Sequence, residues 1–302
     1  MVAVTATLTV ESLHRYPVKS MLGEAVDACE LGPAGLAGDR AYAVVDSSDG
    51  FVASAKNPAK WGALLGFRAT FTDEPALGGT LPPVMVTFPD GSQVRSDERE
   101  VHDRLSRAIG REVTLMSVAP QHPVFEEVWP DIAGLAPTEF IERVATGRNA
   151  AGETVSRIDL AMGAPGTFFD LAPLHVLTTA TLSHLSALVP GATYDVRRYR
   201  PNVVVSVPDA GFVEDSWVGR SVGLGAQAEA VVLMPTMRCV MTTLAQDGLP
   251  RDRSTLRGIA EHNRVDIPGL GTWACAGVYA GVAAPGKVRV GDPVVVASEG
   301  SL

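Results

Sequence analysis

Cys239 has the widest chemical reach of any residue in this chain. It lies in Met234-Pro235-Thr236-Met237-Arg238-Cys239-Val240-Met241-Thr242-Thr243, after a β-like run and a Pro-containing bend and before a second β-like run. A thiolate is both a nucleophile and a soft-metal ligand, and a neighbouring cation such as Arg238 favours thiolate over thiol. The plain alternative is a small buried hydrophobe, since free cysteine is among the most buried residue types. Three other segments carry cations with short polar side chains. Tyr16-Pro17-Val18-Lys19-Ser20 offers an ammonium and a hydroxyl from backbone that Pro17 makes irregular. Gly35-Leu36-Ala37-Gly38-Asp39-Arg40 combines turn glycines with a guanidinium, and Asp39 reads as orienting a neighbouring donor. In Arg197-Arg198-Tyr199-Arg200-Pro201-Asn202, arginine brings a planar fork for phosphate-like oxygens and Asn202 brings amide donors and an acceptor. A thiolate with several donors for a phosphorylated anion describes a soft-metal cofactor with a phosphate tail.

Other candidates carry less. His175, His184 and His262 stand isolated and read as structural. Glu214 and Asp215, in Phe212-Val213-Glu214-Asp215-Ser216-Trp217, read as a solvated turn beside a core tryptophan. The Gly-x-Gly pairs at 223–225 and 269–271 do not continue into a dinucleotide or phosphate-loop fingerprint. Cys29 and Cys275 lie in apolar runs and are expected to be inert. Three cysteines cannot all pair and none sits in a C-x-x-C, which excludes a disulfide framework, a zinc ribbon or an iron–sulfur site. Reduced thiols fit a cytoplasmic protein.

The 302 residues, 46% hydrophobic and 20% charged, suit one large or two medium globular domains. A net charge of −9 argues against nucleic-acid binding, which needs a basic face. The N-terminus lacks the basic start and apolar core of a signal peptide. No apolar stretch reaches the roughly 20 residues of a membrane helix, so no membrane span is expected.

Short Val- and Thr-rich runs bounded by Gly, Pro and Asp predict strands at 6–13, 26–31, 41–45, 84–88, 113–118, 203–207, 228–233, 240–244 and 288–297. Pro89-Asp90-Gly91 predicts a hairpin turn. Helices are expected from a cap at Asp97 to Ile109, with Glu100 at capping-box spacing and Gly110 ending it, and at 181–188, 254–262 and briefly 138–145. Residues 120–152 show no strand pattern and read as a connection between two β-rich domains.

The ordered set Tyr-Pro-Val-Lys-Ser, Gly-Leu-x-x-Asp-Arg, Arg-x-Arg-Pro-Asn, Glu-Asp-x-Trp, Arg-Cys-x-x-Thr-Thr and Val-Gly-Asp-Pro-Val resembles the MOSC family, named for the C-terminal domain of molybdenum cofactor sulfurase. Within it the pattern, from Tyr16 to Val294, is most similar to the amidoxime-reducing branch and its bacterial relatives. The resemblance implies a mainly β, barrel-like fold: a MOSC N-terminal β-barrel-like domain over 1–120, a connection over 121–150, and a MOSC domain over 151–300, with the cofactor between the two domains. It implies a molybdopterin-type molybdenum cofactor with Cys239 as the thiolate on the metal and the catalytic centre. Lys19, Ser20, Arg40, Arg200, Asn202 and Arg238 would hold the pterin and its phosphate. The implied activity is reduction of N-hydroxylated compounds with electrons from an external electron-transfer protein or reductase, because the chain has no cysteine quartet for a fused ferredoxin. Two departures bear on the pocket: Leu171 and Ala172 stand where amidoxime-reducing relatives have Thr-Ser, and Met237 stands where they have Ser.

A carrier or sulfur-transfer module with a persulfide on Cys239 is the alternative. No pyridoxal phosphate is expected, since the region before the MOSC part is β-rich and too short for a desulfurase. A cysteine hydrolase pairing Cys239 with His175 or His262 has no support in the spacing.

Overall fold

The Val-rich runs pair into a closed barrel. The computed structural model describes residues 8–160 and 167–298. Strand Leu8–Arg15 lies antiparallel to Val203–Ser206 on one side and to Pro293–Val296 on the other. The circuit continues through Ser221–Leu224, Ala228–Met237 and Gly271–Ala284, and Leu174–Thr178 closes it by pairing with both Gly271–Ala284 and Val203–Ser206. These seven strands leave no free edge in the circuit, which protects their backbone groups from stray pairing. The pair Leu174–Thr178 with Val203–Ser206 is parallel, and helix Thr179–Leu188 begins the crossover that a parallel pair requires. Alternate residues point inward, so Val10, Leu13, Val176, Val203, Val205, Val222, Leu224, Val232, Val278 and Val294 form one buried cluster.

The first described strand is thus a stave of a barrel whose other strands come from the last 130 or so residues. Tyr16–Arg40 follows it directly and runs beside the segment that enters Val203–Ser206. Smaller sheets complete the molecule. Ala43–Asp46 pairs with Val113–Met116, and Arg68–Phe71, Val84–Thr87 and Gln93–Arg95 form an antiparallel triplet. Their core gathers Trp61, Leu64, Phe67, Val84, Val86 and Leu105. A third core, Trp129, Tyr194, Leu256, Ile259 and Trp273, lies under helix Ser254–His262. The molecule is mostly β with five short helices among the described residues, as expected.

Several elements differ from the sequence reading, and the run expected as one strand at 288–297 is two, Gly286–Arg289 and Pro293–Val296, in different sheets. The expected strand at 240–244 is a 3-10 helix, Val240–Thr243. The Thr242 hydroxyl donates to the Cys239 carbonyl (3.1 Å) and the Thr243 hydroxyl to the Val240 carbonyl (2.7 Å), local bonds that compete with a ladder. The helix expected from Asp97 starts at Val101, because Arg95 takes both Asp97 oxygens at 2.8 and 3.0 Å. Gly110 ends it as expected, at φ 75°. Residues 120–152 do contain strands, Val124–Trp129 and Ala145–Arg148, both paired with Thr154–Asp159. The alternation of Val124–Trp129 is masked in the sequence because Glu127 is buried where an apolar residue is expected. The strand expected at 6–13 begins outside the described residues; within them it runs Leu8–Arg15.

Candidate functional site

Tyr16 is a shelf. Its buried ring lies under two guanidinium groups, Arg200 at 4.1 Å and Arg40 at 5.1 Å. Burial pushes its phenol up to about 12. Asp39 organises the group from behind, as the sequence suggested. It accepts from the Tyr16 backbone N–H (2.8 Å) and the Asn202 amide (2.9 Å), and it pairs with Arg40. Asn202 in turn accepts from the His175 N–H at 3.0 Å.

The backbone is strained at the same place. Among the described residues the non-glycine positions with positive φ are Ser20 (64°), Arg40 (48°), Arg200 (55°) and Asp247 (46°). The first three line one cavity. Left-handed backbone costs an L-residue roughly 1–2 kcal/mol, and such strain collects where function requires a geometry.

That cavity measures about 80 Å³. Lys19, Ser20, Arg40, Arg200, Arg238 and Cys239 from the sequence reading all line it, together with Ser54, Lys56, Asp170, His175, Arg198, Tyr199, Met237, Met241, Thr242 and Tyr279. Asn202 is buried and does not line it; its amide positions Asp39 and His175 instead. Of the two departures, Met237 lines the cavity and Leu171 and Ala172 do not.

Six of the lining residues are cations (Lys19, Arg40, Lys56, Arg198, Arg200, Arg238) and one, Asp170, is a carboxylate. Arg198 is spent on the fold, donating to the carbonyls of Thr193, Thr242, Leu244 and Pro250. Arg200 donates from Nη1 to the Met21 carbonyl at 2.8 Å, and its Nη2 is buried without a partner. Arg238 donates from Nη2 to the Tyr199 carbonyl at 2.8 Å, and its Nε is buried without a partner. Buried donors on charged groups are costly to leave unpaired, so these two atoms describe a site for an anion. Burial pulls the Arg200 guanidinium down to about 10.

The thiol behaves differently from the sequence expectation. Burial pushes the Cys239 thiol up, against the pull of Lys56 and, less strongly, of Arg238. Its sequence neighbour is therefore not the cation with most influence on it. His175 lies 3.5 Å from Arg238 Nη1, and burial together with Arg238 holds its imidazole well below the usual range, hence neutral. Gly277, at φ 79°, makes room for that ring; a Cβ there would stand 2.5 Å from His175 Nε2.

Sequence reasoning missed Lys56 and Glu127. The Lys56 ammonium lies 3.4 Å from Glu127 and 3.3 Å from Asp170. Burial opposes its charge, but the two carboxylates outweigh it and hold the ammonium well above its ordinary range. Burial likewise opposes the Asp170 carboxylate, and Lys19 and Lys56 outweigh it, holding that carboxyl far below the usual range. Burial pushes the thiols of Cys29 and Cys275, expected to be inert, up to about 12. Glu214 corrects the expected solvated turn. It is fully buried, accepting from the hydroxyls of Thr178 (2.5 Å) and Thr181 (2.8 Å).

The chain matches the MOSC domain over residues 164–295 and the MOSC N-terminal beta barrel domain over residues 7–81. It belongs to the MOSC family. MOSC domains are associated with the molybdenum cofactor, which ties this one to molybdenum-cofactor-associated function. Its relatives include mitochondrial amidoxime reducing component 2 of Bos taurus, 24% identical over 95% of this chain and 82% of that protein. The protein of the same name in Macaca fascicularis is 28% identical over 52% of this chain and 47% of its own length, so the MOSC chain spans about half of that relative. Among solved structures, the YUAD protein from Bacillus subtilis covers 96% of both chains at 12% identity with a TM-score of 0.44. No helix among the described residues of this MOSC protein is long and apolar enough to cross a membrane.

Proposed function

We propose that this cavity holds a molybdopterin-type molybdenum cofactor with Cys239 as its thiolate ligand, and that the chain reduces N-hydroxylated compounds with electrons from a separate carrier. The observation that carries the reading is the pair of buried, partnerless donors, Arg200 Nη2 and Arg238 Nε, on two residues that line the cavity with Cys239. Together with Lys19, Ser20 and Arg40 they fit the phosphate and polar edge of such a cofactor, and the thiol fits a soft metal. When bound, the cofactor supplies the electron transfer that removes oxygen from an N–O group. The chain supplies the rest. Tyr16 carries Arg40 and Arg200 over its ring, and Asp39 and Asn202 fix Arg40 and His175 from behind. The neutral His175 keeps Arg238 beside Tyr199. Positions set before the ligand arrives cost no reorganisation when it binds.

The test is conversion of benzamidoxime to benzamidine by molybdenum-loaded protein given a low-potential chemical reductant. Reductant-dependent turnover, absent in Cys239→Ser and unsupported by NAD(P)H alone, is expected. A fully loaded wild type that forms no benzamidine under these conditions contradicts the reading.

A further inference from the structure

Two lining cations are not used by the anion site: Arg198, which is spent on four backbone carbonyls, and Lys56. Lys19 is anchored by the Phe168 carbonyl at 2.9 Å and by Asp170, and Arg40 by Asp39. Lys56 has a different construction. Its carbonyl accepts from the Val128 N–H at 2.8 Å, the Val52 N–H donates to Val124 at 2.8 Å, and Asn57 donates to Glu126 at 3.1 Å. Residues 52–57 are thereby laid along strand Val124–Trp129, which falls between the two matched domains. The ammonium sits over the Phe125 ring at 4.8 Å, and the side chain is 14% exposed. Glu127 in that strand and Asp170 in the irregular segment before Leu174–Thr178 engage the ammonium at 3.3–3.4 Å, and the residue also lines the cavity shared with Cys239 and Tyr279. An ammonium has three N–H groups; Glu127 accepts from one and Asp170 pairs with the charge, so these partners do not use all three.

We propose that Lys56 is the proton donor to the oxygen removed from the N-hydroxylated substrate. This rests on the N-reductive reading above. The reaction consumes two electrons, from the external carrier, and two protons. The N–O bond breaks, nitrogen takes one proton from solvent, and oxygen leaves as water after taking one from Lys56. Donation leaves a neutral amine between two carboxylates that favour the ammonium, and solvent then reprotonates it.

The experiment compares molybdenum-loaded wild type, Lys56→Gln and Lys56→Arg. Arginine keeps the charge and both ion pairs but gives up its proton far less readily. Each protein is measured for molybdenum per chain, for the Kd of benzamidoxime on the oxidised protein, and for kcat. The expected result is metal content and Kd within about threefold of wild type in both variants, with kcat lower by on the order of 100-fold in both. Wild-type kcat in Lys56→Gln overturns the proposal, and so does full rescue by Lys56→Arg, which assigns Lys56 to charge alone. Molybdenum lost from both variants makes Lys56 a cofactor-holding residue and also overturns it. A loaded wild type without turnover is a separate outcome: it removes the N-reductive reading itself and the proton donor with it.

Discussion

Arg200 shows how far single residues carry this account. It combines left-handed backbone, a buried guanidinium pulled down by burial and an unpartnered Nη2, three costs borne by one residue. Arg200→Gly removes all three. Its apo-protein is expected to melt no lower than wild type while it retains several-fold less molybdenum; a large drop in Tm with metal content intact contradicts this. Asp215 gives a pH test away from the site. Burial raises its carboxyl from 3.8 to about 6, Asn263 donates to Oδ2 at 2.9 Å, and Oδ1 is buried without a partner. A raised folded pKa means that the stabilising contribution is complete below about pH 4 and is lost as pH rises through about 6, on the order of 3 kcal/mol. Asp215→Asn is expected to flatten the fall in stability between those values, read from denaturation midpoints at pH 4.5 and 7.5. The motif cations and Cys239 were legible in the sequence because each sits beside a turn-forming residue. Lys56 was not, because its partners Glu127 and Asp170 lie 71 and 114 positions away, and no local pattern marks them.

At the scale of elements, strand ends aim the site. Strand Ala228–Met237 shifts register three times against Gly271–Ala284, the last shift just past Pro235, and these bulges bend it before it delivers Arg238 and Cys239. The Arg238 N–H then bonds the Ala274 carbonyl at 2.9 Å. The sequence showed the bend through Pro235 and the run before it. It did not show the 3-10 helix after Cys239, since Val240-Met241-Thr242-Thr243 has strand propensity that its hydroxyls overrule. Across the bulged pair, Gly277 is the element-level test. Gly277→Ala meets left-handed φ and both His175 Nε2 (2.5 Å) and the Val176 carbonyl (2.7 Å). A loss of roughly 2 kcal/mol or more is expected from strain and displacement together. Urea unfolding with an unchanged midpoint would show that the ring has somewhere else to go.

For the whole molecule, the barrel decides what can be separated. Strand Leu8–Arg15 fills the gap between Val203–Ser206 and Pro293–Val296, so a fragment of residues 151–302 has two open sheet edges and an exposed Val176–Val205 core. Expressed alone it is expected to show no cooperative thermal transition, and co-expression with residues 1–150 is expected to restore one. A fragment that melts cooperatively by itself contradicts this. The β-rich character of both halves was legible from Val-rich runs, but the closure was not, because pairing between residues about 190 positions apart leaves no local signal. Charge is also organised at this scale. In a chain of net charge −9, six of 25 lysines and arginines line one small cavity with a single carboxylate, a concentration that favours a small, highly charged anion over a basic polymer-binding face. The most direct measurement is therefore molybdenum per chain by elemental analysis, for wild type and Cys239→Ser expressed with cofactor supplied. The account predicts close to one metal per wild-type chain and loss of it in the variant. No molybdenum in folded wild type, or equal metal in both proteins, would contradict it.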